Sequence, residues 1–335
     1  MQYRILGKTG LNVSSLGFGG IPIQRIDAAG TRKLMEKLVE YGINYIDTAR
    51  GYSVSEVYLG EALEGIRDKF ILATKSMARD KAGMAKDIDI SLSNLRTDYI
   101  DLYQLHNPSL AQLDQIIAEG GALEALTEAK TAGKIGHIGL TAHSLEVFEK
   151  ALELDWVETI MFPYNIVETH GEDLIARCAE KNIGFIDMKP LAGGAIEDAA
   201  LAIRFVTKNP NVSVTIPGMA EIRELEQNLA AVNHTAPLSS DEAARIDAIR
   251  KELGTQFCRR CGYCAPCTVG IIIPNMFVFG GYLERYGLAD WAKGRYETQA
   301  KTASDCIGCG VCETRCPYNL PIRELLKHTA EAFGK

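Results

Sequence analysis

The stretch YIDTARGYSVSEVYLGEALEGIRDKFILATK (residues 45–75) opens with one short β-forming run, YIDTA, and closes with another, FILATK. Such runs recur along the chain to about residue 250 and alternate with amphipathic segments that end at Gly or Asn, as helices commonly do. There are eight of them: SLGFGG, YIDTA, FILATK, YIDLYQLH, HIGLTA, TIMFPYN, GFIDMKP and VSVTIPG. This alternation predicts a parallel sheet whose strands are joined by crossover helices.

Eight strand–helix units in about 230 residues predict an α/β fold of the TIM (β/α)8 barrel type. Ahead of the first unit, YRILGKTGLNVS (residues 3–14) predicts a β-hairpin with two glycines at its turn, placed to close the bottom of the barrel. After the last unit, SSDEAARIDAIRKELG (residues 239–254) predicts a further helix, and the composition then changes to Cys, Gly and aromatic residues. We therefore assign residues 1–254 to the barrel and residues 255–335 to a second, smaller domain.

The composition is that of a large globular chain: 335 residues, 47% of them hydrophobic, with a formal net charge of −7. From Cys258 onward there are 10 Lys and Arg against 7 Asp and Glu, whereas the preceding part has 26 against 36. Neither part forms the concentrated basic face that binds nucleic acid, and no apolar run approaches the roughly 18 residues that span a membrane. We expect a soluble, cytoplasmic protein with neither nucleic acid nor membrane as a partner. In that reducing compartment, paired thiols more often serve metals or catalysis than disulfides.

Four polar side chains lie at or shortly after the ends of predicted strands: Asp47, Lys75, His106, and Tyr52, which follows Asp47 by five residues. In a TIM barrel the chemistry is carried at the C-terminal ends of the strands. Each of the four has an ordinary alternative, as a helix cap, a packing ring, a solvated charge or a partner for the backbone. Together, however, NYIDTARGYSVSEVYLGEAL, TKS and LYQLHNP resemble the catalytic segments of the aldo-keto reductases, and the likeness extends over about residues 1–250.

This resemblance implies an enzyme that interconverts a small carbonyl compound and an alcohol with NAD(P)H. Tyr52 would be the general acid, Lys75 the cation that activates it, and Asp47 the partner of that lysine. His106 would orient the substrate carbonyl. These residue types suit the reaction, because hydride transfer leaves an alkoxide that needs a proton. A nearby ammonium stabilises the tyrosinate that forms when tyrosine gives up that proton.

The same resemblance implies a nicotinamide nucleotide bound at later strand ends, in GLTAHS, MFPYN, PLAGG and IPGMAEIRELEQN. Tyr164 would stack on the nicotinamide ring, and the glycines in PLAGG would let the backbone approach phosphate oxygens. LAGG by itself is equally typical of an ordinary strand-to-helix loop. The implied cofactor residues are Thr141, His143, Tyr164, Asn165, Leu191, Gly193, Gly194, Gly218, Met219, Glu224, Gln227 and Asn228.

The chain departs from the family pattern in several places. Met161 stands where a glutamine is usual, and His143 where an asparagine or serine is common. Glu224 lies where the family often carries a cation around the 2′-phosphate of NADP, and an acidic residue suits a ribose hydroxyl better. NAD is therefore favoured over NADP, although the neighbouring Arg223 leaves phosphate binding open.

Eight cysteines form two regular runs in the tail, CRRCGYCAPC (residues 258–267) and CIGCGVCETRCP (residues 306–317). The second is the C-x2-C-x2-C-x3-C-P run of bacterial iron–sulfur proteins, whose fourth cysteine characteristically ligates the other cluster. The first run departs from it by a shorter final spacing and by Pro266. Crosswise ligation would give two [4Fe–4S] clusters, one held by Cys258, Cys261, Cys264 and Cys316 and the other by Cys267, Cys306, Cys309 and Cys312.

The residues between the two runs have a helical pattern, so the second domain is predicted to be an α-helical ferredoxin-like domain. Zinc is the alternative metal, since paired C-x2-C units also form sites with four cysteine ligands. Three evenly spaced thiols in a row, and Pro317 after the last cysteine, favour iron–sulfur clusters. The ninth cysteine, Cys178, is expected to be a buried core thiol.

A nicotinamide gives up two electrons as hydride, whereas an iron–sulfur cluster normally moves one at a time. A flavin often couples the two, but the sequence contains no clear flavin signature. The tail could therefore relay electrons from a ferredoxin or other redox protein, act as a docking and sensing module, or be a metal-stabilised cap. The leading hypothesis is an oxidoreductase that carries two clusters. The alternative is a nucleotide-binding redox-sensing or interaction protein with little turnover, and the intact set of four catalytic residues favours the enzyme.

Overall fold

The computed structural model describes residues 1–335, which form two compact units. The first unit consists of Met1–Asn165, Thr169–Pro190 and Asp198–Pro237, and the second of Ile166–Glu168, Leu191–Glu197 and Leu238–Lys335. The helix Ser240–Leu253 thus belongs to the second unit, whereas the sequence suggested a boundary after residue 254. Within the second unit, Nε of Arg250 in this helix donates a hydrogen bond to the carbonyl of Ile166, which links segments that are far apart in the chain.

The chain begins with the predicted antiparallel hairpin, made of strands β1 (Tyr3–Ile5) and β2 (Asn12–Ser14). Gly7 in its turn has a φ of 52°, a region that glycine enters without the steric cost of a Cβ. The same glycine forms an antiparallel bridge with Ile183. Leu6 is fully buried among the apolar side chains that fill the barrel interior. The hairpin therefore plugs one end of the barrel, as predicted.

Eight parallel strands follow, and each lies within or overlaps one of the eight predicted runs. They are β3 (Phe18–Gly19), β4 (Tyr45–Asp47), β5 (Ile71–Ser76), β6 (Ile100–His106), β7 (Ile135–Thr141), β8 (Thr159–Pro163), β9 (Gly184–Met188) and β10 (Val214–Ile216). Strands that are neighbours in sequence pair along the whole sheet. Bridges between Leu16 and Thr215 and between Gly19 and Gly218 bring the last strand back to the first. The sheet thus closes into the predicted TIM barrel.

The first unit has nine helices, of which eight lie between these strands and the ninth follows the last strand. They are α1 (Ala28–Glu40), α2 (Ser55–Ala62), α3 (Lys81–Asn94), α4 (Leu110–Ile117), α5 (Ala122–Thr131), α6 (Leu145–Ala151), α7 (Glu172–Glu180), α8 (Ala199–Thr207) and α9 (Ile222–Asn233). Short 3-10 turns lie at Pro22–Arg25 and Arg67–Lys69. The carboxylates of Asp27 and Asp80 cap α1 and α3, and each such cap stabilises its helix by about 1 kcal/mol.

Side chains alternate between the two faces of each strand, and this alternation decides which residues reach the barrel interior. On β4 and β5, Tyr45 and Ala73 are buried in the interior cluster. On β9, Phe185 belongs to a separate apolar layer between the strands and the helices. A residue two positions beyond an inward-facing one faces inward again. Asp47 and Lys75 therefore point into the barrel at the C-terminal ends of their strands.

The second unit is helical, as predicted for the cysteine-rich tail. Its helices are α10 (Ser240–Leu253), α11 (Ile273–Glu284), α12 (Ala289–Glu297), α13 (Val311–Thr314) and α14 (Ile322–Ala332), with 3-10 turns at Ala192–Gly194 and Ala303–Asp305. Met276, Tyr296 and Leu326 are buried in its core, and the ring of Tyr296 stacks on Phe333 with centroids 4.0 Å apart. No helix of either unit is both long enough and apolar enough to cross a membrane.

Candidate active site and cysteine clusters

An ion pair between Asp47 and Lys75 is buried at the C-terminal end of the barrel strands. Asp47 ends β4 and Lys75 lies on the adjacent β5, and both side chains are almost completely buried. The Lys75 ammonium contacts the Asp47 carboxylate and donates a second hydrogen bond to the carbonyl of Thr48 at 2.8 Å. Nε2 of Gln104 donates to the other oxygen of Asp47 at 3.0 Å, so the carboxylate is held on both sides.

Burial and ionic attraction act in opposite directions on this pair. Burial raises the pKa of Asp47 and lowers the pKa of Lys75, because each charge loses its contact with water. Their mutual attraction favours the charged form of each and opposes both shifts. Removing either partner alone would leave a buried charge without compensation, which is strongly destabilising.

Tyr52 and His106 complete the predicted set of four. Nζ of Lys75 lies 5.1 Å from the centre of the Tyr52 ring. The rings of Tyr52 and His106 meet edge to face, with centroids 6.2 Å apart. Both rings are partly exposed, whereas Lys75 is buried. The structure therefore brings the four residues together and leaves the phenol and the imidazole accessible while the ammonium is shielded from solvent.

Two further residues support this group, and neither was identified from the sequence. Glu56, in the first turn of α2 and only four residues after Tyr52, is 1% exposed. Its carboxylate accepts hydrogen bonds from Arg50, Thr74, Ser91 and Asn94. These bonds tie the start of α2 to β5 and α3, so the loop that carries Tyr52 is fixed beside Lys75. Gln104 lies two positions before His106 on β6, and strand periodicity alone would have placed it on the interior face.

Tyr164 does not lie where a nicotinamide ring could stack on it, which corrects the expectation drawn from the sequence. Its side chain lies in the apolar layer between strands and helices, on the same side as Phe162, and is 2% exposed. The hydroxyl donates a hydrogen bond to Glu172 at 2.8 Å, and the ring packs against Phe205 with centroids 5.5 Å apart. Met188, at the end of β9, packs instead against the interior cluster. Met188 lies two residues after the inward-facing Ile186, so strand alternation alone indicates that it faces the barrel interior, and sequence reasoning overlooked this signal.

Two other predicted cofactor residues use their polar atoms within the protein. Oγ1 of Thr141 accepts a hydrogen bond from the backbone N–H of Asn107 at 2.9 Å. Nδ2 of Asn165 donates to the carbonyl of Lys189 at 3.0 Å. Both side chains are buried, whereas His143, just beyond the end of β7, is partly exposed. Among these three, His143 is therefore the one with a surface that a ligand could contact.

The start of α9 holds the remaining predicted residues of the first unit. The Glu224 carboxylate accepts hydrogen bonds from the backbone N–H groups of Ala220 at 2.7 Å and Glu221 at 3.1 Å, and so caps the helix. Its other oxygen lies 3.8 Å from the guanidinium of Arg25. Of the others, Gly218 is packed too closely against a proline ring to carry a side chain, Met219 and Asn228 are buried, and Gln227 is exposed.

The turn that contains Leu191, Gly193 and Gly194 belongs to the second unit. Gly193 and Gly194 have φ of 66° and 82°, which glycine adopts without strain. Nε of Arg285 donates a hydrogen bond to the carbonyl of Gly193 at 3.0 Å, and a Cβ on Gly193 would lie 3.3 Å from the hydroxyl of Tyr286. The turn itself therefore requires these glycines, and it is fastened to the residues that follow α11.

A cavity in the second unit is lined by four of the eight clustered cysteines. They are Cys267, Cys306, Cys309 and Cys312, the four thiols that crosswise ligation assigns to one cluster. Cys309 is exposed, and its Sγ lies 3.4 Å from the hydroxyl of Thr268. This hydrogen bond lowers the pKa of Cys309, which favours the thiolate that binds metals.

Of the other four thiols, those of Cys258, Cys264 and Cys316 lie in or against the apolar core of the second unit. Burial is the largest cause that raises the pKa of Cys264 to about 12, and the charges of the nearby Cys258 and Cys261 add to the shift. Cys316 is buried in the same core. No three His, Cys, Asp or Glu side chains converge as ligands of a single metal ion. A cubane cluster would need four thiolates around one space, and the cavity that Cys267, Cys306, Cys309 and Cys312 line fits that requirement.

Two models of known protein families match successive parts of the chain. The model of the Aldo/keto reductase family matches residues 15–200 and 196–251, which is more than half of the chain. The chain belongs to the aldo/keto reductase family. The model of a 4Fe-4S dicluster domain matches residues 257–321. This aldo/keto reductase thus carries an iron–sulfur domain after its barrel, which confirms the prediction from the two cysteine runs.

Individual relatives of this aldo/keto reductase are oxidoreductases. L-galactose dehydrogenase of Arabidopsis thaliana is 29% identical over 306 residues, which cover 74% of this chain and 94% of the relative. Aldo-keto reductase YhdN of Bacillus subtilis is 31% identical over 201 residues, or 54% of this chain and 59% of the relative. Among solved structures, the holo form of aldo-keto reductase AKR11C1 from Bacillus halodurans superposes with a TM-score of 0.64 at 27% identity, covering 74% of this chain and 96% of that one.

Proposed function

We propose that this aldo/keto reductase interconverts a carbonyl compound and an alcohol with a nicotinamide nucleotide, and that Tyr52 exchanges the proton with the substrate oxygen. One arrangement carries the proposal: the centre of an accessible phenol ring lies 5.1 Å from the buried ammonium of Lys75, beside the imidazole of His106. A bound nicotinamide would supply or accept the hydride.

The residues around Tyr52 provide what the proton transfer needs. Negative charge that develops on the substrate oxygen must be met by a proton, which the Tyr52 hydroxyl can donate. The phenolate left behind is stabilised by the Lys75 ammonium, and Asp47 keeps that ammonium in position. His106, edge-on to Tyr52, is placed to donate a hydrogen bond to the same oxygen. In alcohol oxidation the same groups act in reverse.

NAD is proposed as the preferred nucleotide because carboxylates occupy the start of α9. Glu221 and Glu224 form a capping box there. The neighbouring cations are already paired, since Arg25 lies 3.8 Å from Glu224 and Arg223 lies 3.7 Å from Glu221. These carboxylates would repel a 2′-phosphate, whereas a carboxylate can accept hydrogen bonds from ribose hydroxyls. Fluorescence titration should give a lower dissociation constant for NADH than for NADPH, and the reverse order would contradict the assignment.

We assign two [4Fe–4S] clusters to the second unit, with a ferredoxin or another one-electron carrier as their partner. One set of thiols is supported by the cavity that Cys267, Cys306, Cys309 and Cys312 line together. Anaerobically purified protein should contain about eight irons and eight sulfides per chain. Flavin and nicotinamide analysis of the same sample identifies the other cofactors. Zinc in place of iron, or half the expected iron after reconstitution, would overturn this assignment.

The substrate is proposed to be a small polar carbonyl compound or alcohol. The relative L-galactose dehydrogenase is named for a sugar, so aldoses should lead the panel of compounds, followed by simple aldehydes and ketones. Turnover is measured as NADH oxidation with the carbonyl compounds and as NAD reduction with the alcohols. Tight nucleotide binding without turnover across this panel would instead support a nucleotide-binding sensor.

A further inference from the structure

Arg259 is a buried guanidinium without an acidic partner. It lies between the first two cysteines of the first run and is 7% exposed. Nε donates a hydrogen bond to the carbonyl of Val167 at 3.2 Å. Nη1 donates to the carbonyls of Gly254 at 3.0 Å and Phe257 at 3.2 Å. All of its hydrogen-bond acceptors are backbone carbonyls, so its positive charge is solvated by dipoles and is not neutralised.

The adjacent Arg260 differs in this respect. Its Nη2 lies 2.7 Å from Oε1 of Glu168, and the two side chains are 9% and 0% exposed. This pair is neutral as a whole, whereas Arg259, the residue that follows Cys258, has no carboxylate among its hydrogen-bond acceptors. An unpaired buried charge is costly unless a group of opposite sign offsets it.

Arg259 also links the two ends of one predicted ligand set. Its guanidinium carbon lies 3.9 Å from the centre of the Tyr318 ring, a cation–π contact. Tyr318 follows Cys316 by two residues, and Arg259 directly follows Cys258. The positive charge therefore stands next to both chain segments that would supply thiolates to the same cluster.

We infer that Arg259 is a positioning residue that raises the reduction potential of the cluster assigned to Cys258, Cys261, Cys264 and Cys316. The inference rests on the two clusters proposed above. Four thiolates make such a cluster anionic, and its reduction adds one electron from an external donor without forming or breaking a bond. A fixed cation in a region of low dielectric stabilises the form with more negative charge.

Arg323, a cation beside the second cysteine run, is not expected to raise the reduction potential of its cluster in the same way. Arg323 lines the cavity of that run, but its side chain is 52% exposed and its Nη2 lies 2.8 Å from Glu313. Solvent and the carboxylate screen its charge. The two arginines therefore form a matched comparison, one buried and unpaired and the other exposed and paired.

The test is a redox titration of the full-length, anaerobically reconstituted chain, followed by electron paramagnetic resonance. Arg259→Gln should lower the equilibrium constant for reduction of one cluster about tenfold, which corresponds to about 59 mV for one electron, and leave the other cluster unchanged. Arg259→Lys keeps the charge and should keep most of the potential. Arg323→Gln should move neither cluster by as much.

A second variant changes the charge in the opposite direction. Glu168→Gln removes the carboxylate that neutralises Arg260 and should raise the potential of the same cluster that Arg259→Gln lowers. If Arg259→Gln loses iron and the potential of its cluster cannot be measured, Glu168→Gln still tests the effect of buried charge on that potential. The inference is overturned if Glu168→Gln leaves that potential unchanged or lowers it, or if Arg259→Lys and Arg259→Gln shift it equally. Wild-type protein without two reducible clusters would overturn the cluster assignment instead, before any variant is compared.

Discussion

Replacing Lys75 with methionine removes the ammonium beside Tyr52 and should lower the turnover number about a hundredfold or more. At an effective dielectric constant of about 20, two unit charges separated by the 5.1 Å between Nζ and the ring centre interact by about 3 kcal/mol. That stabilisation exists only when the phenol has given up its proton, and each 1.4 kcal/mol lost from it is about a tenfold loss in rate.

The variant needs two controls because Asp47 is left buried without its partner. The double variant Lys75→Met/Asp47→Asn removes the stranded carboxylate and should be as inactive but more stable in urea unfolding. Lys69→Met changes an exposed lysine just ahead of β5 and should retain full activity. The assay is steady-state NADH oxidation with a carbonyl substrate, accompanied by NADH titration. Activity of Lys75→Met within about threefold of wild type, with unchanged NADH binding, would refute the reasoning.

Two further predictions concern the metal site and the response to acid. Cys309→Ser should lose about half of the bound iron, whereas Cys178→Ser, in the barrel's apolar layer, should retain all of it; equal iron in both variants would count against the ligand assignment. Burial opposes the shift, but hydrogen bonds from His137 and Lys130 lower the pKa of Glu158 to about 2. A lowered native pKa stabilises the fold above the unfolded value near 4.3, and this contribution is lost as the pH falls toward 2. In urea unfolding, the wild type should therefore lose on the order of 1.5 kcal/mol more than Glu158→Gln between pH 5 and pH 3, and parallel curves would show that Glu158 contributes nothing.

Strand periodicity made the barrel and its mouth predictable from sequence. Residues two apart on a strand share a face, so the polar groups at or next to the C-terminal ends of β4, β5 and β6 converge once the sheet closes. Asp47, Lys75 and His106 could be selected for that reason. The spacing of the cysteines was informative in a similar way, because chelate loops have a fixed length that does not depend on the rest of the fold.

The features that sequence reasoning missed depend on contacts between distant segments. Tyr164 lies two residues after Phe162, and its side chain is on the same outer side of β8, where it contacts Glu172 and Phe205. Glu56 occupies an ordinary position in the first turn of a helix, so the sequence alone does not distinguish it. Its four hydrogen-bond donors come from separate segments that meet only in the folded chain.

The most direct test of the proposed chemistry is the activity of Tyr52→Phe, which removes one hydroxyl group and keeps the aromatic ring. We predict a loss of carbonyl reduction of at least a hundredfold, since a positioned general acid typically contributes about a hundredfold to ten-thousandfold. NADH should bind the variant as tightly as the wild type. Turnover by Tyr52→Phe at the wild-type rate would contradict the assignment of this phenol as the proton donor.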